Sequence, residues 1–322
     1  MEIAISFALA LFVATVLVPI LIRVAPALGL VDVPDGNRKV HRDPIPRCGG
    51  LAIALATILP VAFWLRDTTP LFGFFLGAAI IVVFGYFDDR HELNFKWKFL
   101  GQLIAVFVFL LGDLEITKTP FFGLGDQVPW LSYPIIALFI LGVTNAVNLS
   151  DGLDGLAAGS SLLSLAFIGY LGFVAGQPAL VLVTAATSGA LLGFLRFNTH
   201  PARIFMGDTG SQFLGFVTAC MAVLVTQSPA LAVSPMLAVL VVGVPILDTL
   251  LVMMLRMRDG RSPFMPDNRH LHHQFLAVGL QHYQAVAALY LLNFALLGLC
   301  YLIRYESDLL VLLVYLLFSV TT

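Results

Sequence analysis

The sequence predicts an all-α, polytopic membrane protein with 10–11 transmembrane helices. Hydrophobic residues make up 59% of the 322-residue chain, charged residues make up only 11%, and the mean hydropathy is +0.96. An average soluble domain carries roughly 25% charged residues, so a soluble core cannot absorb this composition. Apolar runs of about 20 residues, each long enough to cross a hydrocarbon layer of about 30 Å, recur along the chain.

Eleven apolar runs, bounded by charged residues, prolines or polar clusters, are the candidate spans. They lie near residues 3–25, 48–65, 70–87, 99–112, 129–147, 157–175, 178–195, 211–228, 230–255, 284–303 and 306–321. No convincing internal repeat divides the chain, and residues 1–322 are expected to form a single integral-membrane domain.

The basic residues fall mainly on one side of these spans. Fourteen of the seventeen lysines and arginines lie in alternate loops, and only Arg66, Lys118 and Arg304 lie in the opposite loops. Because basic loops stay in the cytoplasm, the N-terminus is predicted to lie outside. The formal net charge of −2 gives no indication of nucleic-acid binding.

An acidic pair, Asp88 and Asp89, ends the third span on the predicted cytoplasmic side. Desolvation and mutual repulsion make such a pair costly unless a cation or a nearby base offsets the charge. The pair is therefore either a Mg²⁺ site or general base, since Mg²⁺ prefers carboxylate and phosphate oxygens, or simply a solvated helix end. Asp208, in the sequence Gly-Asp-Thr-Gly-Ser, begins the eighth span with small residues around it, where a phosphate could approach a helix N-terminus.

The loop after the fifth span contains two asparagines and two aspartates, Asn145, Asn148, Asp151 and Asp154, with two glycines among them. The glycines permit a tight turn that presents carboxylates and backbone N–H groups, as suits a ribose, a phosphate or a metal. A plain turn between helices is the alternative explanation, but such a turn would not need two asparagines as well.

The last cytoplasmic loop holds Arg269, His270, His272 and His273. Clustered histidines suggest Zn²⁺, but the pattern contains no HExxH and no nearby cysteine. With arginine beside them, they are equally suited to a diphosphate. Lys96 and Lys98, just after the acidic pair, suit a lipid phosphate or serve as ordinary membrane anchors. Asp248, within the ninth span, is expected to support helix packing or the site from behind.

Taken together and in order, these motifs resemble the polyprenyl-phosphate N-acetylhexosamine-1-phosphate transferase family, of the glycosyltransferase family 4 type. The resemblance runs from about residue 33 to residue 279. The loop of residues 40–50 and the Asp-Asn-Arg-His-Leu-His-His sequence are more similar to the bacterial UDP-GlcNAc:undecaprenyl-phosphate GlcNAc-1-phosphate transferases than to the phospho-MurNAc-pentapeptide translocases. Where the translocases carry lysine in the first loop, this chain has Arg42 and Arg47, so a uracil contact is not carried over there.

The resemblance implies a role for each motif. The residues expected to be catalytic are Asp88, Asp89, Asp151, Asp154, His272 and His273. Those expected to bind the nucleotide or the sugar are Asn145, Asn148, Asn198, Phe205, Arg269 and His270, with Phe205 stacking on uracil. Lys96 and Lys98 are expected to bind the lipid phosphate, and Asp208, Asp88 and Asp89 to hold the metal.

The implied reaction transfers an N-acetylhexosamine 1-phosphate, GlcNAc-1-phosphate first of all, from a UDP-sugar to undecaprenyl phosphate. It releases UMP and initiates a cell-envelope glycan such as lipopolysaccharide or teichoic acid. The expected cofactor is Mg²⁺, with Mn²⁺ as a substitute, and the expected partners are the two substrates and the lipid bilayer; homodimerisation is left open. The alternatives are phospho-MurNAc-pentapeptide translocase activity and, in a different class, an ion-coupled transporter.

Two chemical routes are compatible with the motifs. In the first, the lipid phosphate attacks the sugar-bearing phosphorus directly, with Asp88 or Asp89 orienting or deprotonating it. In the second, an aspartate forms a covalent intermediate. The sequence does not choose between them.

Overall fold

A computed structural model of the protein describes residues 1–32, 44–64, 71–112, 114–121, 129–262 and 269–321. Within these ranges the chain is all-α apart from one short antiparallel pair of strands, β1 (Val31–Asp32) and β2 (Ile45–Pro46). The predicted fold class is therefore confirmed. Arg42 and residues 266–268 of the predicted site loops lie outside the described residues.

Thirteen helices follow one another along the described chain. They are α1 (Glu2–Leu28), α2 (Gly49–Trp64), α3 (Phe72–His91), α4 (Phe95–Leu111), α5 (Pro129–Ser150), α6 (Leu156–Val174), α7 (Pro178–Asn198), α8 (Gly207–Thr226), α9 (Leu237–Val241), α10 (Gly243–Arg258), α11 (Leu271–Ala277), α12 (His282–Ile303) and α13 (Asp308–Thr321).

Each of the eleven predicted spans overlaps a helix, but the helices differ in their capacity to cross a bilayer. Seven described helices, α1, α3, α5, α6, α7, α8 and α12, are long and apolar enough to cross a membrane. The helices α2 and α13 are apolar but shorter. The span predicted at residues 230–255 is divided into α9 and α10, with a break at Val242. The chain is thus a multi-pass membrane protein, and its orientation remains a prediction.

Helix α8 lies at the centre of the bundle. In its most apolar window 94% of the residues are buried inside the protein, compared with 28% for α1 and α12. It packs against α2, α3, α5 and α6, so its residues contact protein where those of outer helices face lipid. The residues at the N-terminus of α8 therefore lie at the centre of one end of the bundle.

Glycines allow the backbones around α8 to approach closely. A Cβ atom at Gly215 of α8 would lie 2.6 Å from the Cα atom of Thr144 in α5. A Cβ atom at Gly85 of α3 would lie 2.5 Å from the Cα atom of Thr209. Small residues at helix interfaces are a common means of close packing in membranes, where lipid supplies no hydrophobic drive between helices.

A short backbone ladder fixes the entry of the chain into α8. The N–H of Phe205 donates to Pro46 O at 2.8 Å, and the N–H groups of Gly49 and Gly50 donate to Phe205 O and Met206 O, both at 2.9 Å. These bonds tie the start of α2 to the segment that precedes Asp208. The position of Asp208 is therefore set by backbone contacts before its side chain makes any.

The opposite end of the bundle is closed by polar contacts to the segment between α4 and α5. Gln227 Oε1 accepts hydrogen bonds from the N–H groups of Thr117 and Lys118, both at 2.9 Å. The Lys118 ammonium donates to the carbonyls of Ser228 and Leu231, and burial lowers the pKa of this lysine. The carboxylate of Asp308 accepts from Phe121 N at 2.6 Å.

We predict that Gly215→Ala destabilises the protein while Gly142→Ala does not. The added methyl group at position 215 would overlap the backbone of α5, and overpacking of this kind costs about 1–3 kcal/mol. A Cβ atom at Gly142 meets nothing within 4 Å, so this α5 variant is the matched control. Thermal unfolding in detergent measures both, and equal melting temperatures for the two variants would contradict the close packing of α5 and α8.

Candidate active site

The residues singled out from the sequence meet at one end of the bundle. Asp88 and Asp89 lie in the last turn of α3, and Lys98 lies in the first turns of α4. The asparagines lie near the C-terminal ends of α5 and α7, and Asp208 is the second residue of α8. Hydrogen bonds and ion pairs then connect elements that are more than one hundred residues apart in the sequence.

An ion-pair triad joins α3, α4 and α8. The Lys98 ammonium lies 2.6 Å from Asp88 Oδ2 and 3.2 Å from Asp208 Oδ2. Oδ1 of Asp88 accepts a hydrogen bond from Leu93 N at 2.9 Å, while Oδ2 is buried and has no hydrogen-bond partner among the described residues beyond this ion pair. One lysine therefore stands between two carboxylates that would otherwise repel each other.

Asn148 orients the Asp208 carboxylate from the α5 side. Its Nδ2 group donates to Asp208 Oδ1 at 2.6 Å and also lies 2.7 Å from Ser211 Oγ. Asp208 thus has one oxygen directed by an amide and the other by an ammonium group. Its side chain is 31% exposed, so an incoming ligand could still reach it.

Asp89 is used differently from its neighbour Asp88. Its Oδ1 accepts from Asp208 N at 2.7 Å, and its Oδ2 accepts from Thr209 N at 2.9 Å and from Thr209 Oγ1 at 2.5 Å. Both oxygens therefore satisfy the free donors at the N-terminus of α8, which also carries a partial positive charge. Gly207, at φ 69°, makes the turn into this helix, and a Cβ there would meet the Asp89 carboxylate.

A buried amide network lies beneath the triad. Asn145 Nδ2 donates to Gln102 Oε1 at 2.7 Å, and Gln102 Nε2 donates to Gln212 Oε1 at 3.1 Å. Asn145, which was predicted to bind nucleotide or sugar, contacts Gln102 of α4 and the carbonyl of Leu141, and Gln102 in turn contacts Gln212 of α8. Its visible contacts hold α4, α5 and α8 together.

The loop between α5 and α6 brings two more carboxylates to the same end. Burial first, and then the negative charges of Asp208, Asp154 and Asp89, raise the pKa of the Asp151 carboxyl to about 7. Asn198, which is buried, accepts from Gly155 N and donates to Ile204 O, both at 2.9 Å. Asn198 therefore fixes this loop against the segment that leads to the half-buried Phe205.

Two histidines that sequence analysis did not select lie beside Asp154. His200 Nδ1 is 2.7 Å from Asp154 Oδ2, which also accepts from Ala202 N at 3.1 Å. The His282 ring stacks on His200 with the ring centroids 4.0 Å apart. Asp154, His200 and His282 each offer one potential metal ligand atom within 4.8 Å of the others. The hydrogen bonds already account for this cluster as a support for the loop.

The histidine element, residues 269–273, is held from behind by Asp248. His270 is paired with this carboxylate, and the His272 ring lies nearly parallel to that of His270, with centroids 5.7 Å apart. Burial lowers the pKa of His272 to about 4, and burial also lowers the pKa of His273. His272 is therefore neutral at pH 7 and can offer hydrogen bonds but no charge to a phosphate.

The remaining predicted residues lie at the rim of the site. Arg269 Nη1 is 2.7 Å from Asp259 Oδ2 in an exposed ion pair. Lys96 is exposed and is two residues from Lys98, whose ammonium is turned inwards to the carboxylates. Of the two lysines predicted to bind a lipid phosphate, the structure thus places one in the carboxylate cluster and one at the surface.

Asp208 and Asp88 are the carboxylates best suited to hold a divalent cation. Both lie against the single ammonium group of Lys98, and among the described residues Asp88 Oδ2 has no partner beyond that ion pair. Burial, and then the negative charges of Asp208, Asp154 and Asp89, raise the pKa of the nearby Asp151. A hard cation with oxygen ligands fits this donor set. Asp89 has no oxygen left free of hydrogen bonds for that purpose.

The site contains functional candidates that the sequence did not reveal. Gln102 and Gln212 are polar residues within apolar helices, which is the signal that could have identified them. His200, in the loop after α7, and His282, the first residue of α12, are far apart in the sequence, and only the fold brings them to Asp154.

We predict that Asp151→Asn raises the melting temperature in chelator-containing buffer, by a few degrees at pH 8 and by less at pH 5.5. The raised pKa means that the folded protein holds the Asp151 proton up to about pH 7, whereas the unfolded chain releases it near its ordinary value of 3.8. Ionised Asp151 therefore destabilises the fold increasingly as pH rises through this window, and asparagine removes that effect. Thermal denaturation of purified protein measures it, with the exposed Glu306→Gln as the control; equal gains at both pH values would contradict the assignment.

Comparison of the sequence with known proteins identifies the family of the chain. A sequence model described as glycosyl transferase family 4 matches residues 71–226, which run from the start of α3 to the end of α8. The matched region contains the acidic pair, the asparagine and aspartate loop and Asp208, but not the histidine element.

Curated relatives match over most of the chain. A probable undecaprenyl-phosphate N-acetylglucosaminyl 1-phosphate transferase of Bacillus subtilis (strain 168) is 37% identical over 91% of this chain and 82% of the relative. A decaprenyl-phosphate N-acetylglucosaminephosphotransferase of Mycolicibacterium smegmatis is 37% identical over 79% of this chain and 71% of its own. An undecaprenyl-phosphate alpha-N-acetylglucosaminyl 1-phosphate transferase of Escherichia coli (strain K12) is 31% identical over 82% of this chain and 73% of its own. The chain therefore belongs to glycosyl transferase family 4, the polyprenyl-phosphate N-acetylhexosamine-1-phosphate transferase family that its motifs resemble.

Proposed function

We propose that the protein transfers GlcNAc-1-phosphate from UDP-GlcNAc to undecaprenyl phosphate, with release of UMP, at the cytoplasmic face of a bacterial inner membrane. The observation that carries the proposal is the pair Asp88 and Asp208, held around Lys98 at the end of an apolar helix bundle. The names of the curated relatives support the lipid acceptor and the sugar. The product would initiate a cell-envelope glycan.

The physical difficulty of this reaction is that both substrates are anions. A phosphate monoester on a lipid must approach the phosphorus of a nucleotide diphosphate, and bare carboxylates would add to the repulsion. Mg²⁺, or Mn²⁺ in its place, held by Asp208 and Asp88 would neutralise the diphosphate and make UMP a better leaving group. The donor set described above supports a cation of this kind.

Other residues of the site would bind the lipid phosphate and orient the reacting groups. Lys98 provides a positive charge at the boundary between the apolar bundle and water, where a lipid-borne phosphate arrives, and exposed Lys96 would attract it there. Asn148 fixes the carboxylate of Asp208. Among the described residues, Oδ2 of Asp88 is held only by the Lys98 ion pair, whereas both oxygens of Asp89 are hydrogen-bonded to α8, so Asp88 is better placed to orient the attacking phosphate.

The nucleotide would lie along the loop between α5 and α6. Asp151 and Asp154 border it, and Phe205 offers a half-buried ring on which uracil can stack. The neutral ring of His272 and the neighbouring His273 would donate hydrogen bonds to the sugar diphosphate from the other side, and the ring of His270 would accept one from a sugar hydroxyl group. Arg269 would reach the diphosphate only by leaving Asp259, its exposed ion-pair partner.

Direct attack by the lipid phosphate is the route we favour. Asp88 is the carboxylate that a covalent route would need, but its ion pair with Lys98 at 2.6 Å lowers its nucleophilicity. Trapping of a phosphorylated Asp88 during turnover would rule out direct attack.

We predict that purified protein releases UMP from UDP-GlcNAc only when Mg²⁺ and undecaprenyl phosphate are both present. Asp208→Asn keeps the size of the side chain but removes its charge, and we expect activity to fall at least 100-fold, a loss of about 2.7 kcal/mol of transition-state stabilisation. Glu306→Gln, an exposed change at the opposite end of the bundle, is the matched control and should retain full activity.

The choice of nucleotide decides the branch. Release with UDP-MurNAc-pentapeptide but not with UDP-GlcNAc would keep the reaction class and replace the sugar. An absence of UMP with every UDP-sugar, together with ion-dependent flux in sealed vesicles, would favour a transporter instead.

We predict that the site faces the cytoplasm. Arg258→Cys marks the end of α10 on the site side, and Glu306→Cys marks the opposite end; both positions are exposed, and the three native cysteines are buried. In intact spheroplasts, a membrane-impermeant maleimide should label the Glu306→Cys variant, and it should label the Arg258→Cys variant only after permeabilisation. The reverse pattern would overturn the orientation given by the basic residues.

A further inference from the structure

Asp248 is a buried carboxylate with both oxygens engaged by the histidine element. It lies in α10, 4% exposed, and Oδ2 is 2.8 Å from Nδ1 of His270, which is itself 5% exposed. Oδ1 accepts a hydrogen bond from Leu271 N at 2.7 Å. Leu271 is the first residue of α11. The N-cap residue, His270, makes no side-chain hydrogen bond to the backbone N–H groups at this helix terminus. Asp248 therefore replaces the missing cap from another helix.

The contact with His270 decides where that ring carries its proton. An ionised carboxylate only accepts hydrogen bonds, so the nitrogen that faces it must be protonated. Nδ1 of His270 is thus the protonated nitrogen, and in the neutral ring Nε2 is left as an acceptor. A histidine ring held in one tautomer by a carboxylate is a recurrent arrangement in catalytic sites.

A chain of ring contacts connects His270 to the nucleotide loop. The His272 ring lies parallel to that of His270, at an interplanar angle of 6°, and it packs so closely on Gly152 that a Cβ at that position would overlap it. Gly152 lies between Asp151 and Asp154 in the sequence. A change in the orientation of His270 would therefore reach the loop that we propose to hold the nucleotide.

We propose that Asp248 is a positioning residue that fixes the tautomer and orientation of His270, and through it the placement of the histidine element on the site. The effect on activity rests on the proposed function, whereas the effect on the tautomer does not. Asp248 is not expected to touch substrate, because its two oxygens are already used within the protein.

Asparagine at position 248 is the sharpest test. Its amide offers one acceptor and one donor group, whereas the two partners of Asp248 both require acceptors. The Leu271 N–H cannot change its role, so the amide oxygen must remain with it and the amide NH₂ must face His270. Nδ1 of His270 then has to become the acceptor, and the proton moves to Nε2. Asp248→Asn thus reverses the tautomer while the shape of the contact is preserved.

The experiment uses the full chain in detergent or nanodiscs, with ¹⁵N-labelled histidine. We expect the wild-type His270 signal, identified by its loss in His270→Gln, to show protonated Nδ1, and Asp248→Asn to show protonated Nε2. In the UMP-release assay, Asp248→Asn should lower kcat by about 10- to 100-fold, the usual effect of removing a residue that orients a ligating or catalytic group. The double variant Asp248→Asn/His270→Gln should be no slower than His270→Gln alone, because Asp248 acts through His270.

Thr249→Val is the matched control. Thr249 neighbours Asp248 in α10, its buried hydroxyl has no hydrogen-bond partner among the described residues, and it makes no described contact with His270. Thr249→Val should keep the wild-type tautomer and rate. Melting temperatures of Asp248→Asn and Thr249→Val within a few degrees of wild type would show that any loss of kcat is not loss of fold.

Two results would overturn the proposal. One is an unchanged His270 tautomer in Asp248→Asn; the other is a double variant whose loss equals the product of the two single losses, which would mean that the residues act independently. If the wild-type protein releases no UMP at all, the proposed function fails, and the tautomer measurement still decides the role of Asp248.

Discussion

The hydrogen bonds from the N-terminus of α8 to Asp89 are the contact on which the rest of the site depends. Helix α8 is the most buried long helix among those described, and its first N–H groups would be orphaned at the end of an apolar bundle without an acceptor. Asp89 supplies that acceptor with both oxygens and so joins α3 to α8. Because Asp208 is the residue whose N–H is held, the candidate metal ligand is fixed through its backbone by its acidic neighbour.

This arrangement divides the acidic pair into a structural and a chemical member. Asp89 accepts hydrogen bonds from backbone N–H groups and a hydroxyl group that belong to the fold, whereas Asp88 is paired with Lys98, a side chain that can exchange partners. Desolvated carboxylates are costly, and burial, followed by the negative charges of Asp208, Asp154 and Asp89, raises the pKa of Asp151 at the same end of the bundle. A site of this kind favours a hard cation followed by phosphate oxygens, the order of charges that the proposed reaction needs.

The fold class and the main site residues could be predicted from the sequence. The contacts that could not be predicted all have the same physical cause. Composition and span length predicted the fold class, and the order of Asp88, Asp151 and Asp208 indicated which residues would form a site. The sequence did not reveal that Lys98 lies between two carboxylates 10 and 110 residues away, or that His200 and His282 meet at Asp154. These contacts depend on helix packing, which close approaches such as that of Gly215 to α5 determine and which no local pattern encodes.

At the histidine element, a carboxylate again accepts hydrogen bonds from the start of a helix, but its two oxygens have different partners. Asp89 and Asp248 each accept the first N–H groups of a helix that begins at the site, so that each helix start is placed by a carboxylate on another helix. Asp89 uses both oxygens on α8, but Asp248 needs only one for α11 and gives the other to His270. The same carboxylate therefore sets the position of the element through its backbone and the protonation of its first ring, so the two properties cannot vary independently. The amide of Asp248→Asn can still accept the hydrogen bond from Leu271 N but cannot accept one from His270. This substitution therefore separates the position of the element from the tautomer of His270.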